Sequence, residues 1–180
     1  MDAVPSSIRV KVRHEGWADY SAITRVHDAA FEEPNEGRLV WVLRETRRFD
    51  PDLSFVAEVE AGAVVGHILF YPVIIKADGL RRKTLELGPL AVLPEYQGNG
   101  VGSELVKEGL RTAQRHGHGS IVVLGSPAFY ARFGFKPAGV WRIRPPFKVP
   151  GGAFMAIELR ADELAHAEGT VQYPREFDGL

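Results

Sequence analysis

The sequence predicts a mixed α/β fold, a mainly β sheet flanked by helices, in one domain. Three observations carry this. Strand-like runs outnumber helical ones. Residues 54–60 and 63–75 flank Ala61 and Gly62 as the arms of a hairpin do. The apolar run Leu90, Ala91, Val92, Leu93 then passes through a glycine-rich loop into helical spacing, a unit that makes a central parallel strand pair plausible.

The elements read in order as follows. Residues 8–13 alternate apolar and charged side chains, as a half-exposed strand does. Residues 17–31 read as a first helix, with Tyr20, Ile23, Val26, His27 and Ala30 near one face. Pro34, Asn35 and Gly37 interrupt, and residues 39–47 form a shorter helix. The hairpin follows, and Pro72 late in its second strand predicts an edge or a bend. Residues 76–83 read as a polar turn and 84–93 as the next strand. Pro94 and Glu95 end that strand, and Val101, Leu105, Val106 and Leu110 stripe the helix over 103–115. Residues 121–124 are a short apolar strand, and Pro127 suits the first turn of a short helix. Residues 136–144 and 153–159 are further strand candidates around a PPFKVPGG loop. Residues 162–180 read as a short helix and an irregular tail. The core is expected over 8–159, with 160–180 as a C-terminal extension.

Composition narrows the function. With 180 residues, 45% hydrophobic and 25% charged, the chain is long enough for a substantial core. A net charge of -1 supplies no global field toward nucleic acid or a membrane surface. The absence of cysteine excludes disulfides, thiolate metal sites and a cysteine nucleophile, and fits the cytoplasm. The N-terminal stretch lacks the apolar centre of a signal peptide, and no apolar run is long enough to span a bilayer.

The loop Gln97, Gly98, Asn99, Gly100, Val101, Gly102, Ser103 carries the chemistry. The first N–H groups of a helix have no intrahelical partner and lie at the positive end of its dipole. Glycines let a phosphate approach them closely. No Gly-Lys-Ser/Thr follows, so this is not a Walker A loop. The spacing G-x-G-x-G also lacks the last glycine of the dinucleotide fingerprint. A ligand-free glycine turn is the alternative.

AVLPEYQGNGVGSELV resembles the coenzyme-binding motif of the GCN5-related N-acetyltransferases, Gln/Arg-x-x-Gly-x-Gly/Ala, at Gln97, Gly100 and Gly102. FYARFGF resembles the family's Tyr-x-x-x-Gly-Phe segment at Tyr130, Gly134 and Phe135. Two motifs in family order are more specific than either alone. Within the family the sequence is most similar to a bacterial group related to YhbS.

The resemblance implies a mostly antiparallel sheet with a splayed parallel pair, and transfer of an acetyl group from acetyl-CoA to a primary amine, on a small molecule or a peptide. Transfer would be direct within a ternary complex. The backbone from Gly98 to Ser103 would hold the pyrophosphate. Leu90, Ala91 and Val92 would bond the pantetheine arm as an added strand does, and the Val92 N–H would serve as oxyanion donor. Tyr130 matches the general acid for the departing thiolate; otherwise it is an aromatic packing residue. Glu86 matches the base. A solvated strand carboxylate, with ordered water as base, is the alternative. Ser126 would contact the cofactor near the thiol. Phe31, Glu32, Glu33 and Asn35 border the acceptor region in the family and otherwise form a polar surface loop. Trp141, Phe147 and the PPF loop are candidate covers for that region.

Other features point to less. His116 and His118 read as helix-end histidines rather than a metal pair, and no metal is implied. His67 reads as a hydrogen-bonded core or cleft histidine. Arg81, Arg82 and Lys83 would touch a cofactor phosphate or form an ordinary basic turn. Two rival functions stand beside the enzyme: a catalytically silent acyl-CoA-binding regulator, and a toxin-like acetyltransferase of aminoacyl-tRNA. The near-neutral charge argues against the second, and no nucleic-acid or membrane partner is expected. A homodimer is compatible with the resemblance.

Overall fold

The computed structural model describes residues 8–32, 35–77 and 79–177. Among the described residues nine strands build one sheet: β1 (Val10–His14), β2 (Ser54–Val59), β3 (Val64–Ala77), β4 (Leu80–Val92), β5 (Ser120–Leu124), β6 (Lys136–Pro137), β7 (Ile143–Arg144), β8 (Phe154–Glu158) and β9 (Gly169–Gln172). The main path runs β1-β2-β3-β4-β5-β8-β6, and β9 joins β3 and β7. The helices are α1 (Tyr20–Ala30), α2 (Asn35–Arg44), α3 (Val101–Arg115) and the single turn α4 (Pro127–Tyr130).

Strand alternation divides the core between two faces of the sheet. Phe70, Leu85, Leu87, Ile121 and Val123 pack with Val101, Leu105 and Val106 of α3. On the opposite face, Ile23 and Val26 of α1 and Val40 of α2 cover Val56, Val64 and Ala91. Leu39 and Leu43 of α2 cover Leu69 and Tyr71. Residues 54–57, 64–71 and 84–87 are buried whichever face they point to, so β2, β3 and β4 form the spine of the sheet.

Pairing on either side of β4 is unequal. Antiparallel to β3 it is held along its length, with one irregularity where Ile68 pairs Leu90 but Phe70 pairs Leu87. Parallel to β5 it is held only at Leu85 with Ile121 and Glu86 with Val122. Beyond those two pairs β5 continues with β8, and β4 continues alone on that side. Pro72 falls on β3 after β2 ends at Leu69 and before β9 begins at Ile74, where no neighbour needs its missing N–H.

Several expectations need correction. The hairpin strands run through the expected polar turn, with Lys76 opposite Arg81 and Ala77 opposite Leu80. Only position 79 is described as turn, and Asp78 lies outside the described residues. Helix α2 begins at Asn35 and ends at Arg44. Gly37 does not break it, because its bare Cα lets α2 lie against His27 and Asp28 of α1. Residues 136–144 form two short strands around the turn Ala138–Trp141 rather than one strand. Residues 162–166 are turns, since Asp162 and His166 take left-handed φ values of 60° and 61° that end a helix. The expected tail instead contains β9, where Val171 is buried.

Helix α3 lies close to the sheet at Gly109, where an added Cβ would fall within the Phe70 ring. Phe70 is wholly buried and cannot yield. Gly109→Val is therefore expected to lower the free energy of unfolding by about 1–3 kcal/mol. Urea unfolding with an unchanged midpoint would contradict this close approach.

Candidate active site

The site begins with the freedom of β4 past Glu86. The Leu93 N–H donates to Val65 on β3 (2.9 Å). Strand groups alternate in direction, so Ala91 and Leu93 bond toward β3 while Leu90 and Val92 turn their N–H and C=O to the open side. The Val92 carbonyl accepts from Gln97 Nε2 (2.9 Å), which ties the glycine loop to that edge.

The loop then delivers the helix. Gly98 and Gly100 have φ values of 75° and 85°, a region costly for side chains with Cβ. Gly100 precedes α3 with no side-chain cap, and the first helical bond runs from Glu104 N to Gly100 O (3.1 Å). The N–H groups of Val101, Gly102 and Ser103 are thus left for a ligand. Leu90, Val92, Gln97, Gly98, Gly100–Ser103, Phe129 and Arg132 surround a cleft of ≈ 380 Å³ there. Its chemistry, bare N–H groups with one guanidinium, fits a phosphate-bearing ligand. Arg132 lies over the Phe129 and Phe133 rings, with its guanidinium carbon 4.8 and 5.6 Å from their centroids. Asn99 is half-buried and bonds Gln97 O, Ala91 lies under α1, and Ser126 precedes α4; none of the three side chains lines this cleft.

Glu86 lies at the last paired position, facing away from Leu85 and Leu87. It is 6% exposed, so the solvated-carboxylate alternative does not hold. Burial pushes its pKa up to about 8, while hydrogen bonds from the Tyr173 hydroxyl and the Leu124 backbone hold the shift down. Tyr173 Oη donates to Glu86 Oε2 at 2.9 Å. Across the gap, Tyr130 is buried and wedged edge-on between Phe129 and Phe135. Gly125 makes room for it: a Cβ there would strike the Tyr130 ring. Burial, and then the Glu86 charge, raise the Tyr130 pKa, so the phenol keeps its proton at neutral pH. Its hydroxyl has no hydrogen-bond partner among the described residues.

Around this centre, Phe147 stacks on Tyr173 with centroids 5.9 Å apart. Trp141 packs on the cluster that holds Ala138 and Ile143, against which Tyr173 also packs. Phe31 stacks on His27, and Asn35 opens α2, whereas Glu33 and Pro34 lie outside the described residues. His67 is buried and hydrogen-bonded through Nδ1 to His27 and through Nε2 to Glu15 and Ser54. Arg81, Arg82 and Lys83 stand at the start of β4, away from the glycine loop, and Arg82 donates to Glu163 O (2.8 Å). Tyr173 and Arg132 escaped the reading of the sequence. The alternation of Val171 and Tyr173 was the signal for the first; nothing marked the second.

A family model described as acetyltransferase (GNAT) matches residues 20–135. The chain belongs to this acetyltransferase family. It is 34% identical over 167 residues to the uncharacterized N-acetyltransferase YhbS of Escherichia coli, covering 93% of this chain and 98% of that protein. A crystal structure of the E. coli YhbS N-acetyltransferase with CoA superposes with a TM-score of 0.88 at 32% identity, over 99% of this chain and 97% of that one. A GNAT acetyltransferase of Brucella melitensis with acetyl-CoA gives 0.75 at 34% identity, over 94% and 99%. The splayed β4 and β5 pair is thus the family's sheet. Among the described residues, no group of three or more His, Cys, Asp or Glu is placed to hold a metal, and no helix is long and apolar enough to cross a membrane.

The buried carboxyl makes stability depend on pH. A raised folded pKa means the folded state binds the proton more tightly than the unfolded chain. Its contribution is complete below pH 4.5 and is lost as pH rises from there through about 8. Relative to Glu86→Gln, the wild type should lose a few kcal/mol between about pH 5 and about pH 9. Urea unfolding at both pH values, with a constant difference between the proteins, would contradict burial of an ionisable group.

Proposed function

We propose that the protein transfers an acetyl group from acetyl-CoA to a primary amine, by direct attack within a ternary complex. The observation that carries this is the junction of two features at one point. The open edge of β4 runs into a glycine-cradled helix start, and a buried carboxyl and a buried phenol flank the same gap. The CoA and acetyl-CoA complexes of the relatives support the choice of donor.

In this reading Val101, Gly102 and Ser103 hold the pyrophosphate through their backbone N–H groups, with Gln97 fixing the loop and Arg132 supplying positive charge. Leu90 and Val92 offer free backbone groups to the pantetheine arm, as a sheet edge does to an added strand. Acetyl-CoA supplies an activated acyl group. The Val92 N–H is aimed at the gap and acts as the oxyanion donor. Val92 also bonds Gln97 through its carbonyl, which fixes that peptide before the ligand arrives.

Amines are mostly protonated at neutral pH and must lose a proton before attack. Glu86 takes it. A base with a pKa near 8 is matched to the working pH far better than an ordinary carboxylate. Tyr130 gives its proton to the leaving sulfur, which its burial allows by keeping the phenol protonated. The donor enters from the α3 face and the acceptor from the face that carries Glu86 and Tyr173, so the two meet through the gap.

Titration calorimetry should give saturable binding of acetyl-CoA and CoA but not ATP. Tyr130→Phe should keep that affinity while kcat for an amine acceptor falls by about 100-fold or more. No CoA binding by folded protein free of copurified CoA would overturn the assignment of the glycine loop. Unchanged turnover would overturn the role of Tyr130.

A further inference from the structure

On the Glu86 face lies a second cleft, of ≈ 740 Å³, between the segment after α2, strand β3 and the segment after β9. Four arginines line it: Arg47, Arg48, Arg81 and Arg175. They come from three separate parts of the chain. None makes an ion pair or hydrogen bond among the described residues. Elsewhere Arg13, Arg44, Arg111, Arg115, Arg142 and Arg160 each pair with a carboxylate, while Arg9, Arg25, Arg38 and Arg144 are likewise unpaired among the described residues; what sets the four apart is that they line one hollow. Glu45 and Glu176 share the lining, yet the four arginines leave them unpaired, and the wall keeps a positive balance. Unpaired guanidinium groups converging on one hollow are what a carboxylate or phosphate binds.

The floor of this cleft belongs to the active site. Tyr71 lines it and is the cross-strand partner of Glu86, which places both side chains on one face. The Tyr71 hydroxyl lies 2.7 Å from Thr46 Oγ1, which fixes the floor against the segment bearing Arg47 and Arg48. Tyr173 also lines the cleft and donates to Glu86. Glu86 itself is buried and is not part of the cleft's lining. The cleft therefore adjoins the carboxyl through Tyr71 and Tyr173, and its wall carries positive charge.

We propose that the acceptor is a small amine that also bears an anionic group, a carboxylate or a phosphate, held by Arg47, Arg48, Arg81 and Arg175 while its amine meets Glu86. This rests on the acetyltransferase reading above. The arginines then divide between the two ligands. Arg132 serves the donor on the α3 face, and these four serve the acceptor on the other.

The test is calorimetric titration of the CoA-saturated protein with paired amines. One pair is an amino acid and its amide; the other is an amino sugar phosphate and its unphosphorylated form. One anionic member should bind at least about tenfold tighter than its neutral partner, and which pair does so separates carboxylate from phosphate. In the Arg48→Gln/Arg175→Gln double variant that preference should shrink to about twofold or less, with CoA affinity unchanged. Equal binding of charged and neutral members would overturn the proposal. So would no binding of any, preference surviving in the variant, loss of CoA affinity in the variant, or binding only of an aminoacylated RNA. Failure of the wild type to bind CoA would remove the acetyltransferase reading and this one with it. CoA binding without an anion preference removes this one alone.

Discussion

Everything at the site depends on two strands parting. β4 and β5 share the pairs at Leu85 and Glu86 and then separate. An unpaired strand edge inside a sheet is unfavourable unless something satisfies its polar groups. Here the edge is short, and it ends in a loop that ties Val92 through Gln97. The irregular pairing between Phe70 and Ile68 lets β4 change direction where the separation begins. The parting thus yields a row of free backbone groups and a buried position for Glu86 at its head.

The C-terminal segment completes what the parting opens. β9 occupies the part of the β3 edge that β2 leaves, and it carries Tyr173 over Glu86. A carboxyl buried without hydrogen bonds would be held neutral over the whole working range. One buried with a phenol and a backbone amide is held near 8, where it can take a proton and give it up. Phe177 packs between Tyr71 and Tyr173, with centroids 5.8 and 5.2 Å away, so the same segment forms the wall of the arginine cleft. The surroundings of Glu86 and of the arginine cleft are therefore shaped in part by residues that lie outside the span of the matching family model.

Legibility in the sequence followed the range of the interactions. The glycine loop and helix α3 were readable because their signals are local: fixed glycine offsets and helical spacing. The position of Glu86 was readable from strand alternation, but its burial was not, since that depends on Tyr173, 87 residues away. The hairpin ends were misread because Lys76, Arg81, Arg82 and Lys83 look like turn residues. They are strand residues there because pairing between β3 and β4 outweighs their polarity. Gly37 looked like a helix breaker and is a contact point between helices instead. The arginine cleft had no local signature at all, as its members come from positions 47, 48, 81 and 175.

The most direct test of the open edge is amide hydrogen exchange, residue by residue, with and without CoA. That edge and the bare helix start should be the groups that the ligand satisfies. Exchange at Leu90, Val92, Val101, Gly102 and Ser103 should slow on CoA binding, while Ala91, already bonded to β3, and the far hairpin end at Leu80 and Arg81 should change little. Protection confined to the hairpin end, or none along β4, would contradict a coenzyme site built on the parting of β4 from β5.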